Sequence, residues 1–305
     1  MAAGSLFDIK FKKKDSINIS SSAITANAGK EMSDFEFDTL RSLIYDKSGI
    51  YFTDSKKYLL ESRITRRINA NNLDSFTAYI NLIQSSPTRK ELDALFEAIT
   101  INETFFFRVP QQFEALENII IPEIAGIKIK SGNPTLRIWS AASSSGEEAY
   151  TIAIILLERI RKNYPNINFQ IIGTDINSAV LGSAEHGIYK EYAVRNVPES
   201  LLNKYFDKSE NQYYLKEEVK KLVKFTKINL YDSNELRSIP PCDIIFCANV
   251  LIYFDIPSKQ KVVSELYNIL TKGGYLFVGY SESLHGVSKA FKLVHLPKAM
   301  AYQKE

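Results

Sequence analysis

A short apolar strand that runs into a turn of small residues, then into a helix opening on two acids, constrains this chain more than any other feature. It is Arg137 to Tyr150, RIWSAASSSGEEAY. Small side chains at Ala141, Ala142, Ser143, Ser144, Ser145 and Gly146 let the backbone come close to a bound ligand, and the helix dipole favours glutamates at a helix start. A second strand, FQIIGTD (Phe169 to Asp175), ends in an acid roughly 28 residues further on, about where a doubly wound fold sets a carboxylate against ribose hydroxyls. On the loop alone, an ordinary strand-to-helix turn of an α/β domain reads the same way. The loop and the acid together point to a nucleotide-type pocket.

What the turn lacks narrows the ligand. It has no GKS or GKT, and only Gly146 lies within it, so both the triphosphate loop and the dinucleotide fingerprint GxGxxG are missing. Glu147 and Glu148 would repel phosphate. A nucleoside cofactor without phosphate and with a cationic centre suits them, and S-adenosylmethionine (SAM) meets that description.

With 305 residues and 45% hydrophobic content, the chain can bury a large core and has room for two domains. The formal charge of +3 is the small difference between 38 basic and 35 acidic side chains, so no global field points to nucleic acid or to a membrane surface. Cys242 and Cys247, five apart in one strand, are expected to face opposite sides of it, which excludes a bridge and suits a reducing compartment. No apolar run approaches the ~20 residues of a membrane span, and no secretory h-region opens the chain, so a cytoplasmic protein without membrane insertion is expected.

Along the chain, residues 1–32 read as a flexible polar leader carrying a KFKKK cluster at Lys10 to Lys14. Residues 33–108 read as a helical N-terminal domain: Phe37, Leu40, Ile44 and Leu60, Ile64, Ile68 step by three and four, and Asp74 is placed to cap the next helix. Residues 109–132 form a linker helix. From 133 to 305 strands alternate with helices, which implies a parallel sheet. Its strands are expected at Leu136 to Ser140, Phe169 to Thr174, Val223 to Asn229, Asp243 to Asn249 and Tyr275 to Tyr280, closing with a hairpin of Phe291 to Leu296 and Ala299 to Gln303. Residues 191–221 break this rhythm; Gln212 to Leu215 and the run from Val219 towards Phe225 are expected to make a small antiparallel β flap. The fold class is therefore α/β, a Rossmann-like methyltransferase sheet with a small all-α N-terminal domain and a β flap insert.

Four blocks stand in order: ITINETFFFR (Ile99 to Arg108), RIWSAASSSGEEAYTIA, GTDINSAVLGSAEHGIY, and CDIIFCANVLIYFD followed by GGYLFVGYSESL. Together they resemble the CheR-type chemotaxis methyltransferases, over roughly residues 33–303. The resemblance implies transfer of a methyl group from SAM to glutamate side chains of chemoreceptors, leaving S-adenosylhomocysteine. By that resemblance Asn102 and Thr104 contact SAM and Arg108 sits near the methyl donor, where a guanidinium can grip and aim a carboxylate. Asp175 binds the ribose, and Glu147 and Glu148 share one cofactor role that the sequence leaves unassigned between them. Asn229 and Leu230 flank the adenine. Ala248, where the family usually has arginine, and Asn249 take the next cofactor positions, and Tyr253 is a second wall for the acceptor glutamate. Read without the resemblance, Asn102 is a cap, Leu230 is core and Tyr253 is a buried structural tyrosine.

The family also implies a basic helix facing acidic receptor helices. Lys56, Arg63 and Arg67 share one side of a helix and Arg66 flanks them, although a solvated charged face has the same pattern. The turn between Asp207 and Tyr213 has no glycine, so binding of a receptor-tail tether peptide is not expected, and the chain is expected to act as a monomer. CANVLIYF lacks the NPPY-type motif of base-directed amino-methyltransferases, so no nucleic acid substrate is implied. His186, His285 and His295 have no ligand spacing, so no metal is expected. The rival from another class is a SAM-binding scaffold without turnover, kept open by Ala248.

Overall fold

The computed structural model describes residues 31–85 and 89–305. The expected leader up to residue 30, with its KFKKK cluster, lies outside the described residues. Met32, placed by the sequence within that leader, is instead 1% exposed and packs in the helical core.

The helical module comprises α1 (Asp34–Ser48), α2 (Lys57–Ala70), α3 (Phe76–Ser85) and α4 (Lys90–Ile99). A reciprocal capping box starts α1: the Ser33 hydroxyl accepts from the Glu36 N–H at 3.2 Å, and the Glu36 carboxylate accepts from the Ser33 N–H at 3.0 Å. Gly49, in the left-handed region at φ 72°, ends the helix. The three-and-four stripe Phe37, Leu40, Ile44 meets Leu60, Ile64 and Ile68 around Tyr79 and Phe96. Ser75 rather than Asp74 caps α3: its hydroxyl accepts from the Ala78 N–H and donates to Asp74. The one-residue difference lets Asp74 orient the cap instead of being it.

α5 (Pro110–Ala115), a π-helical turn (Leu116–Ile120) and α6 (Ile121–Lys130) run on as one rod into β1 (Thr135–Ala141). Then follow α7 (Glu147–Ile155), β2 (Asn168–Asp175), α8 (Ser178–His186), β3 (Ile188–Lys190), α9 (Glu191–Val194) and α10 (Glu199–Tyr205). Next come β4 (Phe206–Ser209), β5 (Gln212–Leu215), α11 (Glu217–Lys220), β6 (Val223–Lys227) and α12 (Ser233–Leu236). β7 (Cys242–Cys247), α13 (Ile256–Ile269), β8 (Leu270–Val278), β9 (Phe291–Leu296) and β10 (Ala299–Lys304) complete the chain.

Seven strands form the main sheet in the order β6-β2-β1-β7-β8-β10-β9, parallel from β6 to β8, with the terminal hairpin antiparallel. Chain order reverses between β1 and β7. The loops after these two strands therefore splay apart at their carboxyl ends, which is where such a sheet opens a ligand crevice. Apolar side chains cover both faces: Leu136, Ile138, Phe246 and Phe277 on one, Trp139, Ile245 and Leu276 on the other.

Three expectations change. The flap is β3-β5-β4, antiparallel, and it recruits Ile188–Lys190 and Phe206–Ser209, while Val223 to Lys227 belongs to the main sheet beside β2. β6 stops at Lys227 and β7 at Cys247, which leaves Asn229 and Asn249 in loops. Cys242 and Cys247 pack on the same side, in one apolar cluster, because a register shift between Cys242 and Ile244 resets the alternation. Both thiols are free and buried. Among the described residues no helix is long and apolar enough to cross a membrane.

Candidate active site

One cavity lies where the helical module meets the carboxyl edge of the sheet, with about 1390 Å³ of atom-free space when its open mouth is included. Its inner wall is the turn after β1. Ala142 (φ 61°) and Ser144 (φ 51°) hold left-handed backbone there without being glycine, strain of a kind that is kept where the surrounding structure enforces it. Gly146 at φ 91° has no such freedom to change: a Cβ on it would meet the Ala184 Cβ at 2.9 Å and the Phe225 ring at 3.0 Å. The serines read from the sequence only as small. In the fold, Ser143 and Ser144 are buried and their hydroxyl oxygens have no hydrogen-bond partner.

Asp175 ends β2 at 6% exposure and lines the cavity. One carboxylate oxygen accepts from the Ser144 N–H and the other from the Asn177 N–H, each at 2.9 Å. Burial pushes its carboxyl above the ordinary range, and the backbone N–H groups oppose that shift. Each oxygen keeps a lone pair, so the carboxylate is pre-aimed for two further donors, as a ribose diol would supply.

The two acids of α7 separate in the structure. Glu147 turns from the cavity, and both its oxygens accept from the Ser145 hydroxyl, at 3.0 and 2.8 Å. Glu148 lines the cavity and accepts from the Ser140 hydroxyl at 2.7 Å. The surface it exposes opens into the cavity, and burial raises its carboxyl to about 7, with Glu282 adding to the rise while Ser140 and Arg108 oppose it. A cationic ligand group beside it would hold it ionised.

Asn229 and Leu230 line the cavity after β6, with Leu230 buried. The Asn229 amide is already committed: its Nδ2 donates to the Lys47 carbonyl at 2.6 Å and its Oδ1 accepts from the Tyr231 N–H at 3.0 Å. That bond bridges the sheet edge to the end of α1, and the ring of Tyr231 packs where a Cβ on Gly49 would lie, 2.5 Å from it. After β7, Ala248, Asn249 and Tyr253 line the same cavity, with Asn249 in the left-handed region at φ 61°.

The outer wall is the segment between α4 and α5. Asn102, Thr104 and Arg108 all line the cavity. The Asn102 amide donates to the Thr100 hydroxyl at 3.2 Å, and the Asn177 amide donates to the same oxygen at 2.9 Å. Thr100 thus ties the module to the start of α8, a link between residues far apart in sequence that no local motif signals. Arg108 donates one bond to the Glu103 carbonyl at 2.8 Å and leaves the rest of its guanidinium at the mouth. The Tyr253 hydroxyl reaches the Ile101 carbonyl at 3.4 Å, and burial raises its phenol although Arg108 and Arg63 pull it down.

The four basic residues singled out for docking differ in exposure and in what holds them. Lys56 ends a 3-10 turn before α2, is exposed and lines the rim of the cavity. Arg66 is exposed on α2. Arg63 donates to the Ile99 carbonyl, and Arg67 forms a two-bonded pair with Glu91 at 2.9 and 2.7 Å. Among the described residues no cluster of three or more His, Cys, Asp or Glu is placed to hold a metal.

The donor set fits SAM: Asp175 is set for a diol, Glu148 for an ammonium, and two unpaired hydroxyls stand beside them. Comparison with known proteins agrees. Residues 102–300 match the CheR methyltransferase SAM-binding domain, and residues 36–100 match the CheR methyltransferase all-alpha domain. The chain is 36% identical over 274 residues to chemotaxis protein methyltransferase 2 of Vibrio cholerae, covering 90% of this chain and 94% of that one. It is 38% identical over 252 residues to a chemotaxis protein methyltransferase of Borreliella burgdorferi, covering 82% and 89%. A third relative, chemotaxis protein methyltransferase Cher2 of Pseudomonas putida, is 34% identical over 272 residues, covering 88% and 97%. With both modules matched and the crevice built for its cofactor, the chain belongs to the CheR methyltransferase family and is a SAM-dependent methyltransferase.

Proposed function

We propose that the protein methylates glutamate side chains on the cytoplasmic methylation helices of chemoreceptors. The observation that carries this reading is the placement of Arg108 and Tyr253 on one cavity with Asp175 and Glu148, so that a carboxylate-gripping cation shares the crevice with the cofactor residues. When bound, SAM supplies a methyl group on a sulfonium whose sulfur leaves with the bonding electron pair, giving S-adenosylhomocysteine. An acceptor glutamate is already ionised near neutral pH, so the chain need supply no general base. Its task is alignment. Arg108 orients the acceptor by hydrogen bonds to the carboxylate, and the Tyr253 hydroxyl donates from the other side. Asp175 holds the ribose, Glu148 the ammonium, and Leu230 covers the adenine, while Asn102, Thr104, Asn229, Ala248 and Asn249 complete the cofactor walls.

For docking we favour Lys56, exposed at the rim of the cavity, and Arg66, exposed on α2. Arg63 and Arg67 contribute by stiffening the module, since their side chains are engaged within it. The flap hairpin turns on only Glu210 and Asn211, without the glycine that would open it, which supports a member that works without a tether. Incubation with methyl-labelled SAM and receptor cytoplasmic fragments is expected to give base-labile methyl esters on glutamate. Tight binding of S-adenosylhomocysteine with no ester formed on any receptor fragment would favour the scaffold reading instead.

A further inference from the structure

Glu282, two residues into the stretch after Gly279 and Tyr280 at the end of β8, is an acid to which no role has been given. It is 9% exposed and stands outside the wall of the cofactor cavity. Both oxygens of its carboxylate are engaged: one accepts from the N–H groups of Asn249 and Gly279, each at 2.7 Å, and the other from the Ile252 N–H at 3.1 Å. Two of these donors belong to the loop after β7, which carries Asn249 and Tyr253.

That loop, Ala248 to Tyr253, has no glycine, yet Asn249 sits at φ 61° and Leu251–Tyr253 winds into a 3-10 turn. Asparagine takes left-handed backbone more readily than other residues with a side chain, and surrounding packing can enforce it. The packing around Glu282 is close enough to do so: a Cβ on Gly279 would stand 2.7 Å from the Glu282 carboxylate and 2.9 Å from the Asn249 nitrogens. On its other side the loop is fastened to the helical module, since the Tyr253 carbonyl accepts from the Tyr51 N–H at 3.0 Å.

We propose that Glu282 is a positioning residue for methyl transfer: it holds the backbone of residues 249 to 252 in the shape that presents Tyr253 to the acceptor and Asn249 to the cofactor. This rests on the function proposed above. Charge-assisted bonds from one carboxylate to three N–H groups are strong, and their loss would leave the buried Gly279 N–H and the part-buried Asn249 and Ile252 N–H groups without this partner. Glutamine is a partial substitute. Its carbonyl keeps the bonds to Asn249 and Gly279, while its amide sets a donor against the Ile252 N–H.

The test compares the full-length wild type with Glu282→Ala and Glu282→Gln, reading single-turnover methyl transfer at saturating SAM, affinity for S-adenosylhomocysteine, and amide hydrogen exchange. In Glu282→Ala the transfer rate is expected to fall on the order of 100-fold, the scale of an ångström-level misplacement of a reacting pair. Affinity for S-adenosylhomocysteine should fall much less, and Glu282→Gln should recover part of the rate. The amides of Asn249, Ile252 and Gly279 should exchange faster while those of β1 and β2 keep their protection. Unchanged exchange at these three amides, or faster exchange with an unchanged rate, overturns the proposal. An equal loss of rate and affinity overturns it too, because Glu282 would then serve the cofactor alone. Should Glu282→Ala lose protection throughout, Glu282→Gln decides by the same criteria. A wild type that forms no ester would sink the proposed function by itself, and the loop would still be judged by exchange and by cofactor affinity.

Discussion

The two walls of the cavity are built differently. The inner wall is a fixed surface: Asp175 is gripped by two backbone N–H groups, the turn after β1 is held in strained backbone, and Gly146 is packed too tightly to change. The outer wall is anchored from behind, where the Phe106 N–H donates to the Ala193 carbonyl and the Phe107 N–H to the Thr151 hydroxyl, and is looser where its side chains face the mouth. Ile101, Asn102 and Glu103 are exposed, Arg108 is tied by one bond to a carbonyl of its own segment, and Tyr253 meets Ile101 only at 3.4 Å. A cofactor needs a site that exists before it arrives, whereas an acceptor side chain on a large partner needs a wall that can adjust around it. Binding should therefore be governed by one wall and turnover by the other.

The largest test breaks the inner wall. Asp175→Ala removes the two proposed ribose contacts and orphans the Ser144 and Asn177 amides, so affinity for S-adenosylhomocysteine by calorimetry should drop roughly 100-fold or more. Almost as large, on the outer wall, Arg108→Ala should lower turnover by on the order of 100-fold while cofactor affinity moves less than about 3-fold, and Arg108→Lys should restore little because a bidentate grip is lost. If the two variants gave the same pattern of loss, the contrast between the walls would be gone.

A third test uses pH. Burial raises Glu148 to about 7, from the ordinary glutamate value of 4.5. Its ionised form therefore costs stability above pH 7, and the cost is relieved as pH falls from 7 towards 4.5. Wild-type thermal stability should gain from this group on going from pH 8 to 6, and Glu148→Gln should lose that gain. Cofactor binding should run the other way, because an ammonium pairs with the carboxylate: affinity should weaken as pH falls through 7 in the wild type and stay flat in Glu148→Gln. The smallest effect is expected from the two exposed basic residues. Lys56→Glu and Arg66→Glu should raise the KM for a receptor fragment several-fold at low salt without touching cofactor affinity, since exposed charges act mainly on encounter.

What the sequence disclosed was local. The β1 turn, the Asp175 terminus of β2 and the strand-helix rhythm all lie within windows where spacing alone carries the signal, and so they could be placed before any coordinates. What it hid depended on geometry between distant segments. Thr100 joins Asn102 to Asn177, Glu282 reaches back 33 positions to Asn249, and β3, three residues long, is too short to show an alternation. The register shift between Cys242 and Ile244 reversed a parity argument that was otherwise sound. Glu147 and Glu148, adjacent and chemically identical, were separable only once Ser145 and Ser140 were seen to claim them.

The bond from the Asn229 amide to the carbonyl of Lys47 has a consequence for how such a molecule can drift over generations. A buried residue in the wall of the cofactor crevice is also one of the bolts that fasten one module to the other. A length change in the short bend after α1 would thus register in the nucleoside pocket before it disturbed either hydrophobic core. Swapping helical modules between relatives should accordingly succeed only when that bend and residue 229 travel together.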